Sequence, residues 1–257
     1  MSVTITWYGT ASIGIETDLA KILIDPFVPI EGSETKVDVK EYLKYKDILV
    51  THGHLDHILS IPDIVKESGA KVHCTKAPYE TLKAKGVSEE NLHRIPQDAR
   101  MEFGDIRVMT YKGKHIEYDK KIIRETVFSK RMIKYRNNLK LLKEENQICQ
   151  ENGETVGYFI ATADAKFFVL GSLGLDKDTK YPIGVDMLVL PYQGVSDPSW
   201  MATEVITRLK PKSVLLDHFD DTFPPISNHI DTEPIVNVLD GIVPVIKLEP
   251  GQDFTFV

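Results

Sequence analysis

Cysteine is nearly absent from this 257-residue chain, which has only Cys74 and Cys149. Two cysteines cannot build a disulfide framework and point to a reducing compartment. No apolar run approaches the roughly 20 residues that a membrane span needs. The opening stretch, MSVTITWYGT, has neither the basic start nor the continuous apolar segment of a signal peptide. Together these absences lead us to expect a cytoplasmic protein with no membrane partner. A serine nucleophile is also unsupported, because no G-x-S-x-G elbow occurs. The net charge of −7 argues against a general nucleic-acid coat, which needs many cations to neutralise phosphates. A local basic patch is compatible with that charge, so nucleic acid is disfavoured as a partner without being ruled out.

What is present is ordinary for a globular enzyme: 42% apolar and 27% charged residues. The length suits one large α/β domain or two small ones. No linker or low-complexity segment divides the chain, so we expect one domain over 1–257. High β-branched content predicts strands at Val3–Tyr8, Ser12–Thr17 and Lys21–Asp25, the last ended by Pro26. A short helix is expected over Val37–Tyr45 and a strand over Ile48–Thr51. Ser60 and Asp63 suggest a capped helix from Ile61 to about Ser68, closed by Gly69. A strand at Lys71–Thr75 and a helix at Pro78–Lys85 follow. The middle reverts to strands at Asp105–Tyr111, Thr155–Ala161 and Lys166–Leu170. The last third alternates strands Met187–Leu190, Ser213–Asp217 and Pro244–Leu248 with helices Pro198–Leu209 and Thr232–Leu239. Such alternation implies mixed sheets covered by helices.

Residues 120–151 stand apart, with nine Lys or Arg in the first 24 positions. Apolar residues at 122, 123, 128, 132, 133, 139 and 142 predict an amphipathic helix or helix pair inserted between strands. It reads either as a solvated basic face packed through its apolar stripe or as a cover that draws an anionic substrate to a site. On the second reading, neutralising Lys130, Arg131 and Lys134 raises KM for anionic substrates.

The densest chemistry lies in DILVTHGHLDHIL, residues 47–59, where a buried-looking strand runs into His52, His54, Asp56 and His57. In extended chain, alternate side chains share a direction, so His52 and His54 point the same way. Gly53 between them permits a tight bend. Asp56 and His57 follow as the chain turns into a helix. Three of the eight histidines fall within these six positions. Neutral imidazoles with a carboxylate suit Zn²⁺, and the same donors accept Mn²⁺ or Fe.

His52-Gly53-His54-Leu55-Asp56-His57 resembles the HxHxDH signature of the metallo-β-lactamase superfamily, and WYGTASIGIETDLAKILIDPF resembles that fold's opening strands. The resemblance covers nearly the whole chain. It implies a four-layer αββα sandwich of two mixed β-sheets flanked by helices. It also implies one metal on His52, His54 and a later histidine, which maps to His115. A second would sit on Asp56, His57, a bridging aspartate and a final histidine, which maps to His218. The implied bridging position departs from the pattern, since FFVLGSLGL has Ser172 where the family commonly has Asp. One metal, two metals bridged only by water, or a carboxylate recruited from Asp220 or Asp221 all remain open. Asp25 is expected behind a histidine ring, although a strand-end Asp before Pro needs no such role.

The resemblance implies a hydrolase acting through a metal-activated water on an ester, phosphodiester or similar small, anionic substrate, with Asp56 and His57 at the chemistry. Two alternatives differ in class. One is a mononuclear iron enzyme of redox or sulfur chemistry, which iron content without hydrolysis would indicate. The other is a non-catalytic metal- or nucleic-acid-binding protein, which salt-dependent binding without turnover would indicate.

Overall fold

A computed structural model describes residues 2–117 and 119–256, and its strands run from two to seven residues. The chain lays down one sheet, then the other. Strands β1 (Val3–Trp7), β2 (Ile13–Glu16), β3 (Lys21–Ile24), β4 (Asp47–Leu49), β5 (Lys71–Cys74) and β6 (Leu92–Arg94) lie side by side in sequence order. Strands β7 (Arg100–Phe103), β8 (Ile106–Lys112), β9 (Val156–Ala161), β10 (Lys166–Val169), β11 (Met187–Pro191), β12 (Val214–Asp217) and β13 (Val245–Ile246) build the second. The last strand, β14 (Gln252–Phe256), returns to the first sheet and pairs antiparallel with β1. Both sheets are mixed: β1–β3 are antiparallel and β3–β6 parallel, while β7–β10 are antiparallel and β10–β13 parallel.

Period-two alternation explains the layers, because successive side chains point to opposite faces. In β3, Ile22 and Ile24 join the cluster between the sheets while Leu23 packs outward. In β11, Met187 and Val189 face inward and Leu188 and Leu190 outward. The outer face of the first sheet is covered by helices α1 (Leu55–Ile58), α2 (Ile61–Ser68) and α3 (Lys76–Ala84). Between β8 and β9 the chain forms α4 (Lys120–Val127), α5 (Lys130–Lys134) and α6 (Arg136–Ile148), and α7 (Pro198–Leu209) and α8 (Glu233–Leu239) cover the second sheet. This is the expected αββα sandwich. No helix among the described residues is long and apolar enough to cross a membrane.

Several local expectations are corrected. The helix expected over Val37–Tyr45 is one 3₁₀ turn, Val39–Tyr42, capped by Asp38, whose Oδ1 accepts from Lys40 N. Ser60 does not cap α2; its hydroxyl accepts from Val28 N at 2.8 Å, so tertiary contact outcompetes the local cap. Gly69 does close α2, at φ 66°, where glycine carries no steric penalty. Strands β6, β7 and β14 were not expected. Each is short or polar on one face, and only pairing across the sheet defines it. The inserted segment is three helices rather than one or two, and Ile123, Phe128 and Ile133 of its expected packing stripe are exposed.

Candidate metal centre

The strands that carry the expected ligands run the same way within each sheet, so their C-terminal ends form one rim. Asp25 follows β3, His52 follows β4, His115 follows β8, Ser172 follows β10 and His218 follows β12. The ends of β-strands in α/β folds are where loops gather functional side chains. Here the ligand atoms of His52, His54 and His115 lie within 4.8 Å of one another, as do those of Asp56, His57 and His218. The two triads share a wall, with the His52 and His57 rings 3.9 Å apart between centroids.

Hydrogen bonds behind the rings decide which nitrogen each presents. Asp25 is 1% exposed and accepts three bonds. Its Oδ1 takes Thr51 N at 2.8 Å, and its Oδ2 takes the Thr51 hydroxyl at 2.5 Å and His57 Nδ1 at 2.8 Å. An ionised carboxylate can only accept, so His57 carries its proton on Nδ1 and keeps a lone pair on Nε2. With its hydrogen given to Asp25, the Thr51 oxygen accepts from His52 Nδ1 at 3.0 Å, which frees His52 Nε2. His115 Nδ1 donates to the Ile116 carbonyl at 2.7 Å, which puts the ring's lone pair on Nε2. His54 presents Nδ1, which lies 3.2 Å from His52 Nε2.

Burial shapes the charge states to match. It pushes His52 and His115 down from the ordinary histidine range and His54 down to about 4, against the opposing pull of Asp56 on His54. Burial raises the Asp56 carboxyl, but His57, His218 and His54 outweigh it and hold Asp56 well below the usual carboxylate range. His218 Nε2 donates to Asp56 Oδ2 at 2.9 Å. Burial lowers His218, and the bond and charge of Asp56, aided by Asp217 and Asp220, more than reverse this. Neutral His52, His54 and His115 beside an ionised Asp56 are donors that a divalent cation takes, and His218 would join them by giving up the proton it shares with Asp56. The His218 Nδ1 atom is buried without a hydrogen-bond partner. These residues therefore fit a metal.

The backbone is strained around the centre. Asp25, Thr10 and His218 have φ of 46°, 49° and 57°, in the left-handed region that non-glycine residues rarely adopt. His218 is held there by its N–H bond to the Thr10 carbonyl at 2.8 Å. Two glycines are required by close approach. A Cβ on Gly53 would stand 2.4 Å from the Gln150 carbonyl oxygen, and one on Gly171 would stand 2.4 Å from Thr51.

Asp220 and Asp221 are not drawn into either triad. Asp220 accepts from Thr10 N at 2.9 Å and from the Thr35 hydroxyl at 2.6 Å. Asp221 accepts from the Ser227 hydroxyl and from Arg131, both at 2.6 Å. A bridge recruited from Asp220 or Asp221 would have to break these bonds. Ser172 does line the site, and its hydroxyl accepts from Ile116 N at 3.1 Å. His73, His93 and His229 lie outside both triads: His73 bonds Asp47 and stacks on His93, and His229 bonds Glu34. Thr51 was missed by sequence reading. A threonine between a strand and a histidine carries no local signal, and only the fold brings Asp25 to it. Asp217, fully buried with both carboxyl oxygens unbonded, was missed too; burial pushes it well above the usual range.

A cavity of about 660 Å³ opens over the two triads. Its roof is the inserted segment, fastened by three side chains. Asp119 Oδ2 accepts from Ser196 N at 2.9 Å, while Asp119 Oδ1 caps α4 at Ile122 N. Arg131 donates to Asp221 and to the Ser227 carbonyl. Asn138, buried in α6, donates to the carbonyls of Glu31 and Pro224, each at 2.8 Å. Of the segment's cations, only Lys121 lines the cavity, and Glu125, one turn later on the same helix face, lines it too. Arg131 is therefore a fastening, and Lys130 and Lys134 are not among the lining residues.

The beta-lactamase superfamily domain matches residues 20–219 of this chain. A metal-dependent hydrolase of Methanopyrus kandleri is 25% identical, over 97% of this chain and 98% of that protein. Among solved structures, Igni18, a metallo hydrolase of the hyperthermophilic archaeon Ignicoccus hospitalis, superposes with a TM-score of 0.66 at 20% identity, covering 100% of this chain and 99% of that one. The isothiocyanate hydrolase from Delia radicum gut bacteria has a TM-score of 0.63 at 13% identity, with 98% of each chain covered.

Proposed function

The chain belongs to the β-lactamase superfamily, with the metallo-β-lactamase fold, and from that premise we propose a metal-dependent hydrolase acting on a small-molecule ester, amide, lactone or phosphodiester. The observation that carries this reading is the pair of convergent triads at the base of an open cavity. His52, His54 and His115 would hold one ion, and Asp56, His57 and His218 a second. A divalent cation supplies an activated water near neutral pH and polarises the electrophilic oxygen of the substrate. Asp25 and Thr51 keep the His57 and His52 lone pairs aimed inward. Asp56, held ionised, either ligates or takes the proton released as the nucleophile forms. Gln193 and Ser172 line the floor beside the triads, where they can orient the reacting group.

Zn²⁺ suits the nitrogen-rich donor set best, and Mn²⁺ or Fe would be accepted by the same residues. Ser172 supplies no carboxylate bridge, so an ion on Asp56, His57 and His218 would be the more weakly held of the two. The test is elemental analysis of protein purified without added metal, followed by turnover of a panel of esters, lactones and phosphodiesters with and without chelator. Chelator-sensitive turnover lost in both His52→Ala and His57→Ala supports the reading. Turnover that survives complete metal removal, or bound metal with no hydrolysis across the panel, rejects it.

A further inference from the structure

The wall of the cavity above the triads is aliphatic. Ile122 and Val127 of α4 face it from the roof, Val195 and Pro198 from the side, and Ile226 and Ile230 from the segment after β12. Beyond the triads themselves, the charged side chains on the wall are Lys121 and Glu125, of opposite sign on one helix face. A pocket for a phosphodiester or a multiply charged substrate would gather cations or backbone N–H groups; this one gathers methyl groups. Its size falls in the range that encloses most of a drug-sized ligand. Several of these aliphatics are exposed: Val127 is 55% and Ile226 47% accessible, and Ile123 beside them 51%. Large aliphatic side chains at this exposure, grouped around the mouth of a reactive site, gain by being covered.

We propose that the substrate is a carboxylic ester or lactone carrying an aliphatic chain, which lies between α4 and the 223–230 segment while its carbonyl sits over the triads. This rests on the hydrolase reading and adds to it the chemical class of the non-reacting part. Lys121 and Glu125 leave the wall without a net charge, so a neutral chain enters without stranding an ion. The Asp119–Ser196 and Arg131–Asp221 bonds hold the roof in place, so the chain meets a formed slot rather than having to order one. Water released from that slot makes binding grow with chain length, by about fourfold for each methylene fully buried.

The experiment uses the metal-loaded full chain and p-nitrophenyl esters from acetate to octanoate, with bis(p-nitrophenyl) phosphate alongside. Binding of octanamide and of acetamide is measured in parallel by calorimetry. The expected result is a rise in kcat/KM of at least about tenfold from acetate to octanoate, given fourfold per buried methylene. Octanamide should bind and acetamide should not. V127D and I226D, at exposed positions, should cut the octanoate-to-acetate ratio about tenfold or more and weaken octanamide, whereas I242D, exposed but outside this cavity, should change neither. Ester turnover that is flat with chain length, or a preference for the phosphodiester over octanoate, overturns the proposal. If no ester is turned over yet octanamide binds and V127D abolishes it, the hydrolase reading fails and the aliphatic slot stands. If octanamide does not bind, the slot is overturned whatever the activity.

Discussion

Asp25→Asn changes one atom in a buried carboxylate and should empty half of the metal centre. Asp25 has a φ of 46°, and asparagine tolerates that left-handed conformation, so the backbone is not the cause of any effect. The effect comes from hydrogen-bond polarity. Asp25 accepts from Thr51 N through Oδ1 and from the Thr51 hydroxyl and His57 Nδ1 through Oδ2. In one orientation the new amide NH₂ meets the Thr51 N–H, donor against donor. In the other it meets His57 Nδ1, which must then give up its proton to Nε2 and lose the lone pair aimed at Asp56 and His218. Misplacing the partner behind a ligating histidine costs about 10–100-fold in metal affinity, or about 1.4–2.7 kcal/mol. The unmade buried bond costs folding stability a further ~1–3 kcal/mol. Competition dialysis against a chromophoric chelator reads affinity, and a thermal melt of the chelated protein reads stability. The expected outcome is selective loss of the weaker equivalent with the His52, His54 and His115 equivalent retained. Wild-type affinity for both equivalents in a folded Asp25→Asn protein would refute the tautomer argument.

Three further outcomes are expected. Ser172→Asp should raise occupancy of the second metal, measured as metal equivalents after dialysis; unchanged stoichiometry would show that more than this ligand is missing. Arg131→Ala should cost about 1–2 kcal/mol, a charged hydrogen bond discounted for its partial exposure. It should also speed hydrogen exchange across 120–148 and raise KM for neutral and anionic substrates alike; a rise confined to anionic ones would make Arg131 a substrate contact instead. In the metal-free protein the clustered histidines should cost stability as pH falls from 6.5 towards 4. His52, His54 and His115 have lowered values, so the unfolded chain binds protons there that the folded one refuses. His54 alone, at about 4, accounts for a loss on the order of 3 kcal/mol. His218, Asp217 and Asp220, all raised, act in the opposite sense, so the histidine contribution is read as the difference between the wild type and His54→Gln. A melting temperature that falls no more steeply between pH 7 and 4.5 in the wild type than in His54→Gln would contradict a buried, neutral His54.

The legible part of the site was its first half. His52, His54, Asp56 and His57 fall within six consecutive positions, so backbone geometry alone brings them to one place. His115 and His218 were assignable because each follows an expected strand, but nothing local distinguishes them from His73, which also lies on a strand and instead bonds Asp47. Asp220 and Asp221 show the converse. Adjacent to His218 in sequence, they looked available, and each is satisfied by partners from distant segments, Thr35 and Arg131 among them. The basic character of 120–151 suggests an anionic substrate, but which of its cations reach the cavity is not legible in the sequence; the fold brings Lys121 to the wall, beside Glu125.

By itself, the sequence determined the layering and the metal-binding half-site. Alternating apolar residues such as Ile22, Leu23 and Ile24 demand cover on both faces of a sheet, and the spacing of three histidines and an aspartate sets their mutual reach. The tertiary structure alone decided which nitrogen each histidine presents, which carboxylates are free and what the substrate meets. Those depend on groups far apart along the chain, such as Asp25 with His57, or α4 with the 223–230 segment. Sheet register and the close approach of Gly53 and Gly171 to distant backbone and side chain bring them within hydrogen-bond distance.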